Sequence, residues 1–220
     1  GRPDTITKEK LEVARKVGIS RICVNPQSMV DATLERIGRS HKSEEIVSCF
    51  QLAREMGFSH INMDVIAGLP GEGIAEFAKT MEAIESLAPE SLTCHVLCIK
   101  RGSKLNEFGA PDTDGKMVGK MVDMANATAK RLGMNPYYMY RQKYMAGNLE
   151  NTAYAKPGNE CLYNIGMMDE RSSVLALGTG AVTKIIRDDI IQRYGNPRDI
   201  FIYMKRIHEK GGMIHETCLL

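Results

Sequence analysis

The sequence predicts an α/β fold around a parallel sheet, and three observations carry that expectation. Short apolar runs of strand character, at residues 21–25, 60–66 and 91–98, alternate with stretches of helical period. The connections between them are long enough for crossover helices rather than hairpins, which is the pattern of parallel strands. With 220 residues and 43% apolar composition the chain can bury a core in one large domain, or in one domain with a smaller appendage.

Taken in order, Thr7 is placed to cap a helix running to about residue 17, with Lys10 where a capping-box glutamate would stand and Gly18 as its stop. Residues 21–25 form the first strand. A helix capped by Asp31 runs toward Ile37, and another begins near Ser43, carries Ile46, Val47, Phe50 and Leu52, and stops at Gly57. The strand at 60–66 ends in the turn 68–71; a helix over about 73–87 leads to the strand at 91–98. Residues 102–115 are rich in Gly, Pro and Asp, and a domain boundary is expected there, dividing the chain into 1–110 and 111–220. A helix over about 117–132 comes next, then a stretch at 137–145 that could be a strand, a loop-like stretch at 147–158, a mixture of β-branched residues and glycines at 174–185, and a terminal helix over about 197–210.

Composition excludes several classes of function. The 29 basic and 27 acidic side chains are intermixed, so no basic stripe suggests nucleic-acid binding. No apolar run approaches the roughly 18 residues of a membrane span, and no signal-peptide pattern stands at the N-terminus, so a cytoplasmic location away from membranes is expected. The six cysteines (23, 49, 94, 98, 161 and 218) are widely spaced and read as reduced thiols. The opening Gly1-Arg2-Pro3-Asp4 reads like a loop within a longer protein.

The residues that could carry chemistry gather at strand ends. Period-two alternation puts Asn62, Asp64 and Ile66 on one face of their strand and Ile61, Met63 and Val65 on the other. An acid near the carboxyl edge of a parallel strand needs a partner: either it caps a loop or pairs with an arginine, or it binds a ribose. Arg21, Cys23, Asn25 and Gln27 share the corresponding face of the first strand, so polar groups converge on one mouth. The segment Gly38-Arg39-Ser40-His41 is either a solvated loop or a ligand-binding one. The turn Gly68-Leu69-Pro70-Gly71-Glu72 could hold an anion at a helix N-terminus, a weak signal alone. Gly178-Thr179-Gly180 lacks the rest of a dinucleotide fingerprint. Cys94 and Cys98 form a C-x3-C pair, but a strand separates them by about 13 Å and the third position of a cluster motif is Arg101, so both read as buried thiols.

The run 21–28, followed by Gly38-Arg39-Ser40-His41 and by 61–71, resembles the second half of the radical S-adenosylmethionine (SAM) barrel in oxygen-independent coproporphyrinogen III oxidases. The resemblance implies the C-terminal half of a partial (β/α)6 TIM-like barrel plus a smaller α+β C-terminal domain. By position it implies SAM binding by Gln27, Arg39 and Asp64, with Ile66 against the adenine. A family acid just before the opening segment has no counterpart, and the ligands of a 4Fe-4S cluster are expected N-terminal to Gly1. Residues 136–145 and 163–170 resemble the coproporphyrinogen dehydrogenase branch rather than the haem-chaperone branch. The implied reaction is radical decarboxylation of two propionates of coproporphyrinogen III to the vinyl groups of protoporphyrinogen IX in haem biosynthesis. A tetrapyrrole substrate and an electron donor for the cluster are the implied partners. The alternatives are a haem-binding or haem-delivery protein of the same superfamily, and a non-catalytic α/β scaffold, the latter favoured if Asp64 is paired internally.

Overall fold

A computed structural model describes residues 1–98, 115–142, 145–170, 172–188 and 190–206. The described chain separates into two compact units, Gly1–Cys161 and Leu162–Leu220. The boundary expected between residues 110 and 111 lies outside the described residues. The first unit nevertheless extends past that position to Cys161, because strands on its far side continue the same sheet.

The first unit runs α1 (Lys8–Lys16), β1 (Arg21–Cys23), α2 (Asp31–Arg36), α3 (Ser43–Glu55), β2 (His60–Ala67), α4 (Ile74–Leu87), β3 (Ser91–Val96), α5 (Gly115–Arg131), β4 (Asn135–Tyr140) and β5 (Asn151–Ala155). Helix starts agree with the sequence with one exception. The Thr7 hydroxyl accepts from the Lys10 N–H at 3.4 Å as expected. Asp31 does not cap its own helix; its carboxylate accepts from the Ser43 N–H at 2.8 Å and so caps α3 instead. The buried side chains of α3 (Ile46, Cys49, Phe50, Ala53), α4 (Phe77, Met81, Ile84) and α5 (Val118, Met121, Ala125, Ala129) repeat at helical spacing. They cover one face of the sheet, and Arg131 ties α5 to α4 through paired contacts of 2.7 and 2.8 Å to Glu85.

The sheet order is β1-β2-β3-β5-β4, with β1, β2 and β3 parallel and β5 antiparallel to both of its neighbours. Strand β5 falls in the stretch expected to be a loop. Gly147, Asn148 and Gly158 bracket it with turn signals, and in Asn-Thr-Ala-Tyr-Ala the preference of Thr and Tyr for strands is offset by Asn and the alanines; pairing on both edges decides its structure. The helix-facing side of the sheet holds Ile61, Met63, Val65, Ala67, Leu92, Cys94 and Val96, all buried. Cys94 sits wholly within this layer, and burial pushes its thiol up to about 12.

The second unit contains α6 (Leu162–Met168) and a hairpin of β6 (Val182–Arg187) and β7 (Ile190–Gly195), with residues 200–206 helical. The terminal helix expected to reach residue 210 passes outside the described residues after 206. Gly178 and Gly180 both take positive φ in the turn before β6, where Gly178 donates its N–H to the Tyr203 hydroxyl at 3.0 Å.

Candidate functional site

The opposite face of the sheet is polar, and its register assembles the site. Asn62 lies opposite Ser91, Asp64 opposite Thr93, and Ile66 opposite His95. Across the antiparallel strands, Thr93 pairs with Ala153 and Ala153 with Tyr138, while Tyr140 pairs with Asn151. An irregularity between Pro136 and Tyr138 shifts β4 by one residue, so that Tyr138 and Tyr140 stand in register with Ala153 and Asn151. Their rings stack at 6.2 Å with planes 9° apart. Ala153, buried between Thr93 and Tyr138 in the register, joins this aromatic pair to the strand that faces Asp64.

A continuous hydrogen-bonded line runs along this face. Arg21 reaches Ser91 at 3.4 Å and the Asn159 carbonyl at 2.8 Å, and His60 Nε2 lies 3.1 Å from the Ser91 hydroxyl. Burial, then the charge of Arg21, pushes His60 down to about 4, so it is neutral at pH 7. Ser91 and Thr93 donate to Asn62 Oδ1 at 3.0 and 3.4 Å, which turns the Asn62 amide nitrogen toward Asp64 Oδ1 at 2.7 Å. Asp64 Oδ2 lies 3.8 Å from His95 Nε2, and His95 Nδ1 lies 3.5 Å from the Tyr140 hydroxyl. Burial alone would raise the Asp64 carboxyl; the His95 ring above all, with Asn62 and Thr93, holds it below the usual carboxylate range. Beyond this line opens a cavity of about 180 Å³ lined by Ile66, His95, Tyr140 and Gln142 among others.

Three of the four residues singled out in the sequence meet here. Gln27 bridges to Val65: its N–H donates to the Asp64 carbonyl and its carbonyl accepts from Ile66 N–H, both at 3.0 Å. These bonds hold a non-glycine residue at φ 68°, in the sparsely populated left-handed region. Gln27, Asp64 and Ile66 are thus locked together through the backbone. Arg39 is half-buried in the loop between α2 and α3, within a charged group that includes Arg2 and Asp4. His41 in the same loop is buried, with Nδ1 3.6 Å from Asp4 Oδ1.

Other expectations resolve differently. The start of α4 already has an anion: the Glu76 carboxylate accepts from the Gly73 N–H at 2.9 Å. Gly71 stands at φ 73°, a backbone conformation strained for any other residue, and beside it the Arg36 guanidinium donates to the Pro70 carbonyl at 2.8 Å. Cys94 and Cys98 part company, the first in the core and the second on the cavity wall. Among the described residues no arginine pairs with Asp64; its partners are Asn62, His95 and Thr93. His95 escaped notice although the same alternation that marks Asp64 sets Ser91, Thr93 and His95 on one face.

Residues 2–84 match the family described as the radical SAM superfamily. The chain is 45% identical over 210 residues to the oxygen-independent coproporphyrinogen-III oxidase-like protein HemZ of Bacillus subtilis, covering 94% of this chain and 42% of that protein. The chain belongs to the radical SAM superfamily, among the oxygen-independent coproporphyrinogen III oxidase-like proteins. It is also 29% identical over 185 residues to the heme chaperone HemW of Haemophilus influenzae, covering 83% of this chain and 44% of that one. Its fold matches coproporphyrinogen III oxidase HemN of Escherichia coli with a TM-score of 0.66 at 18% identity, over 96% of this chain and 48% of that one. The chain therefore spans less than half the length of these relatives. Radical SAM membership implies SAM and a four-iron cluster. Among the described residues there is no group of three or more His, Cys, Asp or Glu side chains that could hold a metal ion, and no helix is long and apolar enough to cross a membrane.

Proposed function

We propose that this chain supplies one wall of the SAM site in a coproporphyrinogen dehydrogenase, an enzyme that oxidatively decarboxylates coproporphyrinogen III to protoporphyrinogen IX in haem biosynthesis. The observation that carries the reading is Asp64: a carboxylate on the polar face of β2, clamped beside Gln27 and Ile66, with Oδ2 3.8 Å from the His95 ring.

These residues fit an adenosine. Asp64 offers acceptor capacity to ribose hydroxyls, Ile66 offers an apolar contact beside the cavity, and the Gln27 amide can both donate and accept. Arg39 suits a carboxylate through its guanidinium fork. When bound with a reduced cluster, SAM supplies the radical chemistry of the superfamily. In this reading the part of the chain's own residues is to bind and orient SAM. The stacked Tyr138–Tyr140 pair supports a tetrapyrrole substrate near the same face. An electron donor acting on the cluster completes the proposed partners.

A second reading, haem binding and delivery, is favoured by the similarity to HemW. Haem binding by the complete protein without conversion of coproporphyrinogen III supports it against the first.

The central test is Asp64→Ala in the complete protein. Each hydrogen bond to a charged acceptor is worth about 1.5–3 kcal/mol, so SAM affinity in anaerobic calorimetric titration should fall by roughly ten- to 150-fold per bond lost. The same substitution relieves burial of a charge while losing the Asn62 and His95 contacts, so stability should move by no more than about 1 kcal/mol. Unchanged SAM affinity with a large loss of stability would favour a scaffold in which Asp64 serves only the fold.

A further inference from the structure

His95 has no role in that reading, yet it faces the oxygen of Asp64 that matters most to it. The Asn62 amide is oriented by the Ser91 and Thr93 hydroxyls, so Asp64 Oδ1 is committed to Asn62 at 2.7 Å. Oδ2 remains. His95 Nε2 stands 3.8 Å from it, while Nδ1 is within 3.5 Å of the Tyr140 hydroxyl, so the ring is held between β2 and β4 at the edge of the cavity. At 3.8 Å the ring lies beside Oδ2 without consuming its lone pairs, which stay open to a ligand's donors.

From this geometry we infer that His95 is a positioning residue for Asp64, holding its carboxylate ionised and aimed at SAM. The inference rests on the reading of Asp64 as the acid that receives the ligand's hydroxyls.

No other described group near Asp64 can take the part. Cys23 from β1 and Tyr138 and Tyr140 from β4 face it, and burial is the first cause that raises all three, so they are neutral near pH 7. Ala153 of β5 is uncharged, and Asn62 and Thr93 are neutral donors. Arg21 and neutral His60 lie at the far end of the line, on Ser91. Cys98 lines the cavity on the other side of His95. Without the imidazole, burial is left opposed by the Asn62 and Thr93 hydrogen bonds alone, and the Asp64 pKa rises.

The experiment is anaerobic calorimetric titration of SAM into the complete protein and its His95→Phe and His95→Gln variants, from about pH 6 to about pH 8.5. The ratio of variant to parent Kd for His95→Phe should be roughly fivefold or more larger at the acid end than at the alkaline end. His95→Gln keeps a donor at the ring position and should lie between the two at every pH. A ratio that is flat across the range, or equal affinities throughout, overturns the assignment; a side chain that only fills space would produce one of those results. Asp64→Ala separates the two failures. If Asp64→Ala loses SAM affinity while His95→Phe shows a flat ratio, His95 alone falls; if Asp64→Ala binds SAM like the parent, the ligand reading and the positioning role fall together.

Discussion

The two faces of one sheet have opposite chemistry. On the helix-facing side Ile61, Met63, Val65 and Leu92 are 0% exposed, packed under α3, α4 and α5. On the other, Asn62 is hydrogen-bonded to Asp64, Ser91 and Thr93, His95 stands between Asp64 and Tyr140, and Ile66 borders open space. Parallel sheets in α/β proteins are usually apolar on both faces, so a face this polar is not needed to hold the strands together. The contrast separates two tasks: one side supplies the apolar burial that stabilises the unit, while the other keeps polar groups ordered for a ligand.

The largest effect that tests this division is Ile61→Ala. Its side chain is fully enclosed by close-packed neighbours, so its loss should cost about 2–5 kcal/mol of transfer and cavity energy. Denaturant unfolding of the complete protein measures it. A cost below about 1 kcal/mol would mean that the helix-facing layer is not what carries the stability.

Much of the division is legible in the sequence. Alternation along β2 marks Asp64 and Ile61 for opposite faces, and Gly57 and Gly18 end their helices as expected, both at positive φ. The part that is not legible depends on register between strands. Asp64 lies opposite Thr93, so it meets His95 only as a diagonal neighbour. Strand β5 is not legible because Asn151 and the alanines offset Thr152 and Tyr154, turn signals flank it, and its pairing with β3 and β4 is what makes it a strand. Asp31 has the chemistry of a cap, but which helix it caps depends on how the chain folds back to Ser43.

Two acids near β2 sharpen the comparison. Asp64 has partners and is held below its ordinary range, so its stabilisation is present above the usual aspartate pKa and fades as pH falls through the lowered value. Glu72, just past the strand, is 3% exposed; Ser28 donates to Oε1, while Oε2 has no hydrogen-bond partner among the described residues. Burial pushes its carboxyl up. A raised acid binds its proton more tightly in the fold, so it weakens the fold as pH rises from the ordinary glutamate value through the raised one. Glu72→Gln keeps the acceptor for Ser28 and removes the charge. The substitution should stabilise the complete protein by about 1 kcal/mol at pH 7 and by nothing measurable near pH 4. Melts across that range test the sign; a loss at pH 7 would mean the carboxylate itself is wanted there.

The smallest expected change in stability belongs to Ile66→Ala, the counterpart of Ile61→Ala on the same strand. Ile66 is only partly buried and lines the cavity, so part of its surface already meets solvent and a truncation leaves no sealed void. Its stability cost should be about 1 kcal/mol or less. Its cost in SAM affinity should be larger in proportion: each methylene that a bound adenine would cover is worth about 0.8 kcal/mol, so losing two of them weakens binding by roughly tenfold. Unfolding and SAM titration on the same pair of variants measure both quantities. If Ile66→Ala destabilises the protein as much as Ile61→Ala while SAM binding holds, the polar face is core rather than wall, and its hydrogen-bonded line serves the fold instead of a ligand.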